Sequence, residues 1–260
     1  MPDASHHRPR HRPTWLDELA LAVLFMTRLP VRLRSEPDPG LYARSMGWYP
    51  LVGVLVGLFG GAVYALATVA NLPPLVAALL TVAATAWITG GLHEDGLADI
   101  TDGFGGGRNR ERKLEIMRDS RVGSYGVLAV VFSVALRAAA LAALAGPAAV
   151  LAALVTATAC SRAVLPAMAW TLEPARRDGL AATHGCPPGK RVALALALAA
   201  VAALVAVGPA VIAAALASAA AAGVVGAMAQ RHINGYTGDV LGGAQQVAEI
   251  AVLLTLVALR

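Results

Sequence analysis

Residues 74–107 read PLVAALLTVAATAWITGGLHEDGLADITDGFGGG. No charged residue occurs from Pro74 to Leu92. A run of that length and apolarity matches the roughly 17–25 residues that an α-helix needs to cross a bilayer. Four carboxylates then follow closely: Glu94, Asp95, Asp99 and Asp102. Glycines come next, at Gly103, Gly105, Gly106 and Gly107. An apolar helix running into a knot of acids predicts an integral membrane protein with a polar site at one face of the bilayer.

The whole chain carries the same signal. Of 260 residues, 57% are hydrophobic and only 14% are charged, and the mean hydropathy is +0.64. A soluble domain carries about 25% charged residues, so a soluble enzyme with a large core is excluded. Cys160 and Cys186 are too few for a disulfide framework and are expected to be free. The net charge of +5 lies mostly in the N-terminal region and in long polar loops. That placement points to the lipid bilayer rather than to nucleic acid as the partner.

Residues 1–13 are basic and rich in proline and histidine, including His6, His7 and His11. They read as a disordered tail, not as a signal peptide. Residues 14–260 read as a single transmembrane domain. It opens with an interfacial helix over Trp15–Val31, with Trp15 at headgroup level. About seven spans follow, at 46–70, 74–92, 122–145, 148–172, 192–207, 211–229 and 244–259. The fold class is therefore all-α, a polytopic membrane helical bundle.

The connections alternate in kind. Those at 71–73, 146–147 and 208–209 are tight and contain no Lys or Arg. Those at 93–121, 173–191 and 230–243 are long and hold most of the basic residues. The positive-inside rule then places the N-terminus and the long loops in the cytoplasm. Residues far apart in sequence can converge there. Gly53, Gly57 and Gly61 form a stripe that lets another helix approach closely, either within the bundle or as a dimer seam of a homo-oligomer.

Several residues carry candidate chemistry. Asp95, Asp99 and Asp102 are spaced four and three, which puts them on one side of a helix continuing from the second span. Like charges so placed repel, and a hard cation removes the conflict. Magnesium is held by one or two carboxylates together with substrate phosphates. Asp239, with Asn234 and Thr237, offers oxygens from the last long loop. Arg118, Ser120 and Arg121 precede the third span and suit phosphate contact. The glycine-rich turn can present backbone N–H groups to phosphate. Arg137 and Arg162 lie inside predicted spans, where a charge marks a functional site or a structural pair with an acid such as Glu249.

These segments resemble the cobalamin synthase family, the adenosylcobinamide-GDP ribazoletransferases. The resemblance is carried by FMTRLPV at 25–31, GLHEDGLADITDGFGGG at 91–107, RDSRVGSYG at 118–126 and GYTGDVLGG at 235–243. Shorter matches at Ser161-Arg162, Ala175-Arg176 and Gly179-Leu180 keep the same order. The resemblance implies a magnesium-dependent transferase of the inner membrane with its site facing the cytoplasm. Such an enzyme joins adenosylcobinamide-GDP to α-ribazole or its phosphate. It releases GMP and yields adenosylcobalamin or its phosphate.

On this reading Asp95, Asp99, Asp102 and Asp239 hold the metal. Arg118, Ser120, Arg121, Arg137, Arg176, Asn234 and Thr237 bind substrate. Arg162 acts on phosphate, and Glu94 or His93 serves as general base, with an aspartate such as Asp95 as the alternative. A CDP-alcohol phosphotransferase is the competing enzyme reading, because Asp99-Ile-Thr-Asp102-Gly103 echoes the start of that family's motif. The order of the remaining residues does not match it. A transporter would place its acids near the midplane rather than at helix ends.

Overall fold

A computed structural model describes residues 13–33 and 37–260. The tail assigned to 1–13 lies outside the described residues except for Pro13, and His6, His7 and His11 lie outside with it. Among the described residues the chain is helical, with no strand and a single isolated bridge between Pro174 and Tyr236.

The twelve helices are α1 Trp15–Met26, α2 Pro39–Ser45, α3 Tyr49–Val69, α4 Pro74–Thr89, α5 Leu92–Gly106, α6 Arg110–Ile116, α7 Ser124–Leu144, α8 Pro147–Thr171, α9 Leu180–His184, α10 Gly189–Val207, α11 Val211–Ile233 and α12 Gly238–Ala258. Their ends follow local chemistry. Proline opens α4 and α8, where its missing N–H costs nothing. Asn109 caps α6 and Thr237 caps α12 through their side-chain oxygens.

Five helical stretches are long and apolar enough to cross a membrane: Pro39–Val69, α7, α8, Gly189–Ile233 and α12. A sixth is added if the bent pair α4 and α5 counts as one. Gly189–Ile233 is not straight, since Gly208 has φ +57° and breaks it into α10 and α11. Large apolar side chains such as Leu66, Val69, Val205, Ile212 and Leu216 stand bare on these helices. Contiguous exposure of that kind marks a lipid-facing surface.

The Gly53–Gly57–Gly61 stripe is filled from within. A Cβ at Gly57 would sit 2.8 Å from the backbone of Val155. Thr158 Oγ1 donates to the Gly53 carbonyl at 2.7 Å. Helix α8 therefore takes the groove, as the intrabundle reading expects, and the stripe is closed to a dimer partner.

Several boundaries differ from the sequence reading. Helix α1 stops at Met26, and its twelve residues reach about 18 Å, too short to cross. It docks through buried Glu18, which accepts from Arg44, Trp48 and Arg191. Helix α12 begins at Gly238, not Ala244, so the last long loop shrinks to 234–237. Helices α5 and α6 fill most of the loop placed at 93–121.

Helix α5 does not continue α4. The two meet at 91°, because Gly90 and Gly91 both adopt left-handed backbone, φ +71° and +70°, which L side chains resist. Arg28 lies against Gly90, and its N–H donates to the Ile88 carbonyl at 2.8 Å. The acids are thereby turned across the end of the bundle instead of extending beyond it.

Candidate active site

Helix α5 deals its acids out to three places. Glu94 faces the bundle interior and accepts from Arg137 Nη2 at 2.9 Å and Gln246 Nε2 at 3.3 Å. Asp102 faces the start of α7, where its two oxygens accept from the N–H groups of Gly123 at 2.7 Å and Gly126 at 2.9 Å. These are helix N-terminal amides with no intrahelical partner, so Asp102 caps α7 from a neighbouring helix. A Cβ at Gly123 would come within 2.9 Å of the Asp102 carboxyl carbon, and glycine is required for that approach. Asp95 and Asp99 remain open, Asp95 exposed and Asp99 half-buried.

Helix α12 supplies the opposite side. Gly96 and Gly242 let it come close, since a Cβ at Gly96 would lie 2.8 Å from the Asp239 carbonyl. Asp239, in the first turn of α12, accepts from Arg176 Nη2 at 3.1 Å and from Thr237 Oγ1 at 3.1 Å. The strand-like segment around Pro174 carries Arg176 into place. Tyr236 N–H donates to the Glu173 carbonyl and Ala175 N–H to the Tyr236 carbonyl, and Arg110 reaches the carbonyls of Ile233 and Ala175.

Asp95, Asp99, Asp239, Thr237 and Arg176 thus come together at one end of the bundle. Burial, followed by the nearby charges of Asp95, Asp239 and Asp102, pushes the Asp99 carboxyl up to about 7. A cluster that resists its own ionisation is the electrostatic setting in which a cation is stabilising. Among the described residues, no three His, Cys, Asp or Glu side chains form a preformed metal group. The carboxylates present are a partial shell, one that suits an ion bringing phosphate oxygens and water as its other ligands.

Next to the acids lies a basic groove of about 970 Å³ whose lining includes Arg110, Arg118, Arg176 and Arg177. Arg118 is tethered to Asp178 at 2.7 Å in an exposed pair. Arg121 pairs with Asp119 and stands away from the groove, its side chain 87% exposed. Ser120 and Asn234 are exposed, and Asn234 serves as the left-handed C-cap of α11. The glycines at 103, 105 and 107 admit Met117, Tyr125 and Lys113 at close quarters. Gly103, Gly105 and Gly106 lie in the last turns of α5, so this stretch is helix packing instead of the phosphate-binding turn expected.

Arg137 and Arg162 lie deeper, in a buried network, with Glu94 Oε2 and Arg162 Nε unpartnered among the described residues. Arg137 bridges Glu94 and Glu249, the latter at 3.5 Å. Arg162 approaches Glu249 at 3.8 Å and donates to the Thr158 carbonyl at 3.1 Å. Gln245 links Glu249 at 2.6 Å to Ser161 at 3.0 Å. Gln246 links Glu94, Gln245 and Ser133. The pairing with Glu249 weighed from sequence is present, and Glu94 joins it. His93 stands between the two zones, 2% exposed, with no hydrogen-bond partner on Nδ1.

Gln245, Gln246 and Arg110 escaped the sequence reading. The rule that singled out Arg137 and Arg162, polarity inside an apolar span, also flags Gln245-Gln246-x-x-Glu249. With the last span starting at Ala244, the two glutamines fall in its first residues, where polar side chains are ordinary.

The profile of the cobalamin-5-phosphate synthase family matches residues 18–257. A Bradyrhizobium diazoefficiens protein named adenosylcobinamide-GDP ribazoletransferase is 48% identical over 244 residues, covering 94% of each chain. Proteins of the same name from Mesorhizobium japonicum and Sinorhizobium medicae are 43% and 42% identical, over 92% and 93% of this chain and 92% and 96% of their own. No solved structure matches the chain.

Proposed function

The chain belongs to the cobalamin-5-phosphate synthase family, and from that premise we propose that it transfers the adenosylcobinamide phosphate unit of adenosylcobinamide-GDP to α-ribazole or α-ribazole phosphate. A ribose hydroxyl of the acceptor forms a bond to the phosphorus next to cobinamide. The bond from that phosphorus to the GMP oxygen breaks, and the hydroxyl proton is lost. The products are GMP and adenosylcobalamin or its phosphate. The observation that carries this reading is the meeting of carboxylates from two helices, Asp95, Asp99 and Asp239, with an arginine groove beside them.

The residues divide the work. Asp95, Asp99 and Asp239 are the side chains that would hold magnesium, with Asp102 behind them fixing α5 against α7. When bound, the ion neutralises diphosphate charge and favours in-line displacement. Arg176 and Arg118, with Arg110 and Arg177, hold the phosphates and the guanosine nucleotide. Thr237 orients Asp239. Glu94 is tied to Arg137 and Gln246, so a cleft aspartate is better placed than Glu94 to take the hydroxyl proton. Arg137 acts at one remove, by holding Glu94 and hence α5, and Arg162 acts through Glu249.

Seven spans follow if α3, α4, α7, α8, α10, α11 and α12 all cross, with α10 and α11 as a hairpin turning at Gly208. Helix α1 then lies in the interface. The site opens to the cytoplasm from the inner membrane, a reading the loop charges support, and residues 14–260 form one catalytic domain behind a basic tail.

Release of GMP from adenosylcobinamide-GDP, measured in reconstituted full-length protein, tests the proposal. Turnover should need both α-ribazole and magnesium. GMP release independent of acceptor, or none with any acceptor, would overturn it.

A further inference from the structure

Beside the acids a second cleft, of about 830 Å³, opens. Its character is different. Phe25 and Met26 come from α1, Met46 and Tyr49 from the turn into α3, Leu165 from α8 and His184 from α9. Rings dominate this wall. His184 stacks on Tyr42 at 4.1 Å and meets Phe25 edge-on at 5.2 Å, and Phe25 lies parallel to Tyr49 at 6.2 Å. Asp95 and Asp239 line the opposite wall, with His93. The cleft therefore runs from a flat, apolar wall to the carboxylates where transfer is proposed.

Two substrates must meet at those carboxylates. The donor is a large corrin with an anionic diphosphate. The acceptor is a nucleoside whose base is a flat, methylated, apolar bicycle. A ring-lined cleft beside the carboxylates matches a compact aromatic nucleoside in shape and chemistry. Anionic phosphates gain nothing from a wall of rings and methionines, whereas a benzimidazole gains both burial and stacking.

We propose that this cleft is the acceptor subsite, holding the benzimidazole of α-ribazole against Phe25, Tyr49, Met46 and His184 and presenting its ribose to Asp95 and Asp239. The assignment rests on the transferase reading above. His93 supports it independently. Its ring is almost fully buried, it lines both this cleft and the small inner cavity beside Arg137 and Arg162, and its Nδ1 has no hydrogen-bond partner among the described residues. Such a group costs free energy until something polar meets it. A base nitrogen or ribose hydroxyl of the acceptor meets that need. Phe25, Met46 and His184 thereby become specificity-determining residues, and α1 gains a function: it closes the acceptor side of the site.

The test uses the full chain in lipid nanodiscs, following GMP release with each substrate varied in turn. Met46→Trp fills the cleft and should raise KM for α-ribazole about tenfold or more, with KM for adenosylcobinamide-GDP within about twofold. His184→Ala removes part of the ring wall. It should raise KM for α-ribazole severalfold and narrow the preference for α-ribazole over the riboside of unmethylated benzimidazole. The His184→Ala result stands alone if Met46→Trp does not fold, and the donor KM reports folding in both. Unchanged acceptor KM, or a rise in donor KM instead, overturns the assignment. Binding of labelled α-ribazole by equilibrium dialysis separates this failure from the other. If wild type binds α-ribazole and His184→Ala binds it severalfold more weakly, yet no GMP is released, the transferase reading fails and the subsite stands.

Discussion

Helices α5 and α12 each contribute acids to two zones that behave in opposite ways. In the outer zone Asp95, Asp99 and Asp239 face one another, with Arg176 the basic side chain bonded to them. In the inner zone Glu94 and Glu249 are matched by Arg137 and Arg162, and Gln245, Gln246 and Ser133 add further hydrogen bonds, with Glu94 Oε2 and Arg162 Nε left without a partner among the described residues. Ten residues of α12 separate Asp239 from Glu249, or about 15 Å of helix. That distance takes the chain from the end of the bundle to its buried interior. A charge-balanced, buried network binds the helices to one another. An unbalanced, open one is left needing a ligand. Residue type alone does not distinguish them, since both are acids beside arginines.

The comparison breaks most decisively at the outer zone. Asp99→Ala and Asp239→Ala should each lower transfer about 10²–10³-fold, because several kcal/mol of charge stabilisation at the diphosphate go with a metal-holding carboxylate. Their melting temperatures in detergent should stay near wild type, or rise for Asp99→Ala as repulsion is relieved. Near-normal GMP release from either folded variant would remove the metal assignment.

Glu249→Ala probes the inner zone and should do the reverse. It leaves Arg137 with Glu94 alone and Arg162 with no carboxylate. Breaking a buried ion network by removing one partner costs about 3–5 kcal/mol, or roughly 10 °C or more in melting temperature for a chain of this size. The protein that stays folded should still release GMP at a rate far closer to wild type than Asp99→Ala does. A stable Glu249→Ala protein without activity would show that the inner zone takes part in the chemistry.

Much of this division was legible in the sequence, and the missing part has a physical cause. The apolar runs, the tight turns and the loop charges gave the all-helical bundle and its ends, because span length and turn chemistry are local properties. Asp95, Asp99, Asp239 and Arg176 were all picked out, by helical spacing or by family resemblance. What stayed hidden was direction. The period of an α-helix places Asp95, Asp99 and Asp102 on one side, yet Asp102 is claimed by the start of α7, twenty-one residues on. Nothing local records that capture except Gly123 and Gly126, whose missing side chains permit it. The right-angle turn at Gly90-Gly91 is likewise a backbone property, and without it the acids project away from the bundle instead of across its end.

Asp102 lies between the two zones, and its substitution should have an intermediate effect. Asp102→Ala strips two backbone amides at the start of α7 of a charged acceptor. Each hydrogen bond to a charged group contributes about 1.5–3 kcal/mol, and water reaching the freed amides offsets part of the two, so a melting temperature lower by roughly 5–10 °C is expected, with a modest fall in activity as α5 loosens. Asp102→Asn keeps one acceptor oxygen and should recover part of the loss. Loss of activity as complete as in Asp99→Ala, without loss of stability, would move Asp102 from the capping role into the metal shell.

The smallest effect reads the open zone directly. In the folded, metal-free protein the Asp99 carboxyl holds its proton to about pH 7, whereas in the unfolded chain it ionises near the ordinary aspartate value of about 4. Between those limits the folded state binds more protons than the unfolded one. Stability contributed by this group is therefore lost as pH rises through that window. Asp99 is only half-buried, and solvent screening keeps the change to a few degrees of melting temperature between pH 5 and pH 8 in the presence of chelator. Asp99→Asn should flatten that slope. Magnesium should flatten it too, by replacing the proton as the countercharge, so the magnesium concentration for half-maximal activity should fall from pH 6 to pH 8. The same substitution at Glu249, inside a network already balanced, should leave the magnesium dependence where it was. If Asp99→Asn and wild type share one pH slope with and without magnesium, the outer acids are no more in need of a cation than the inner ones, and the contrast between the two zones fails at its electrostatic root.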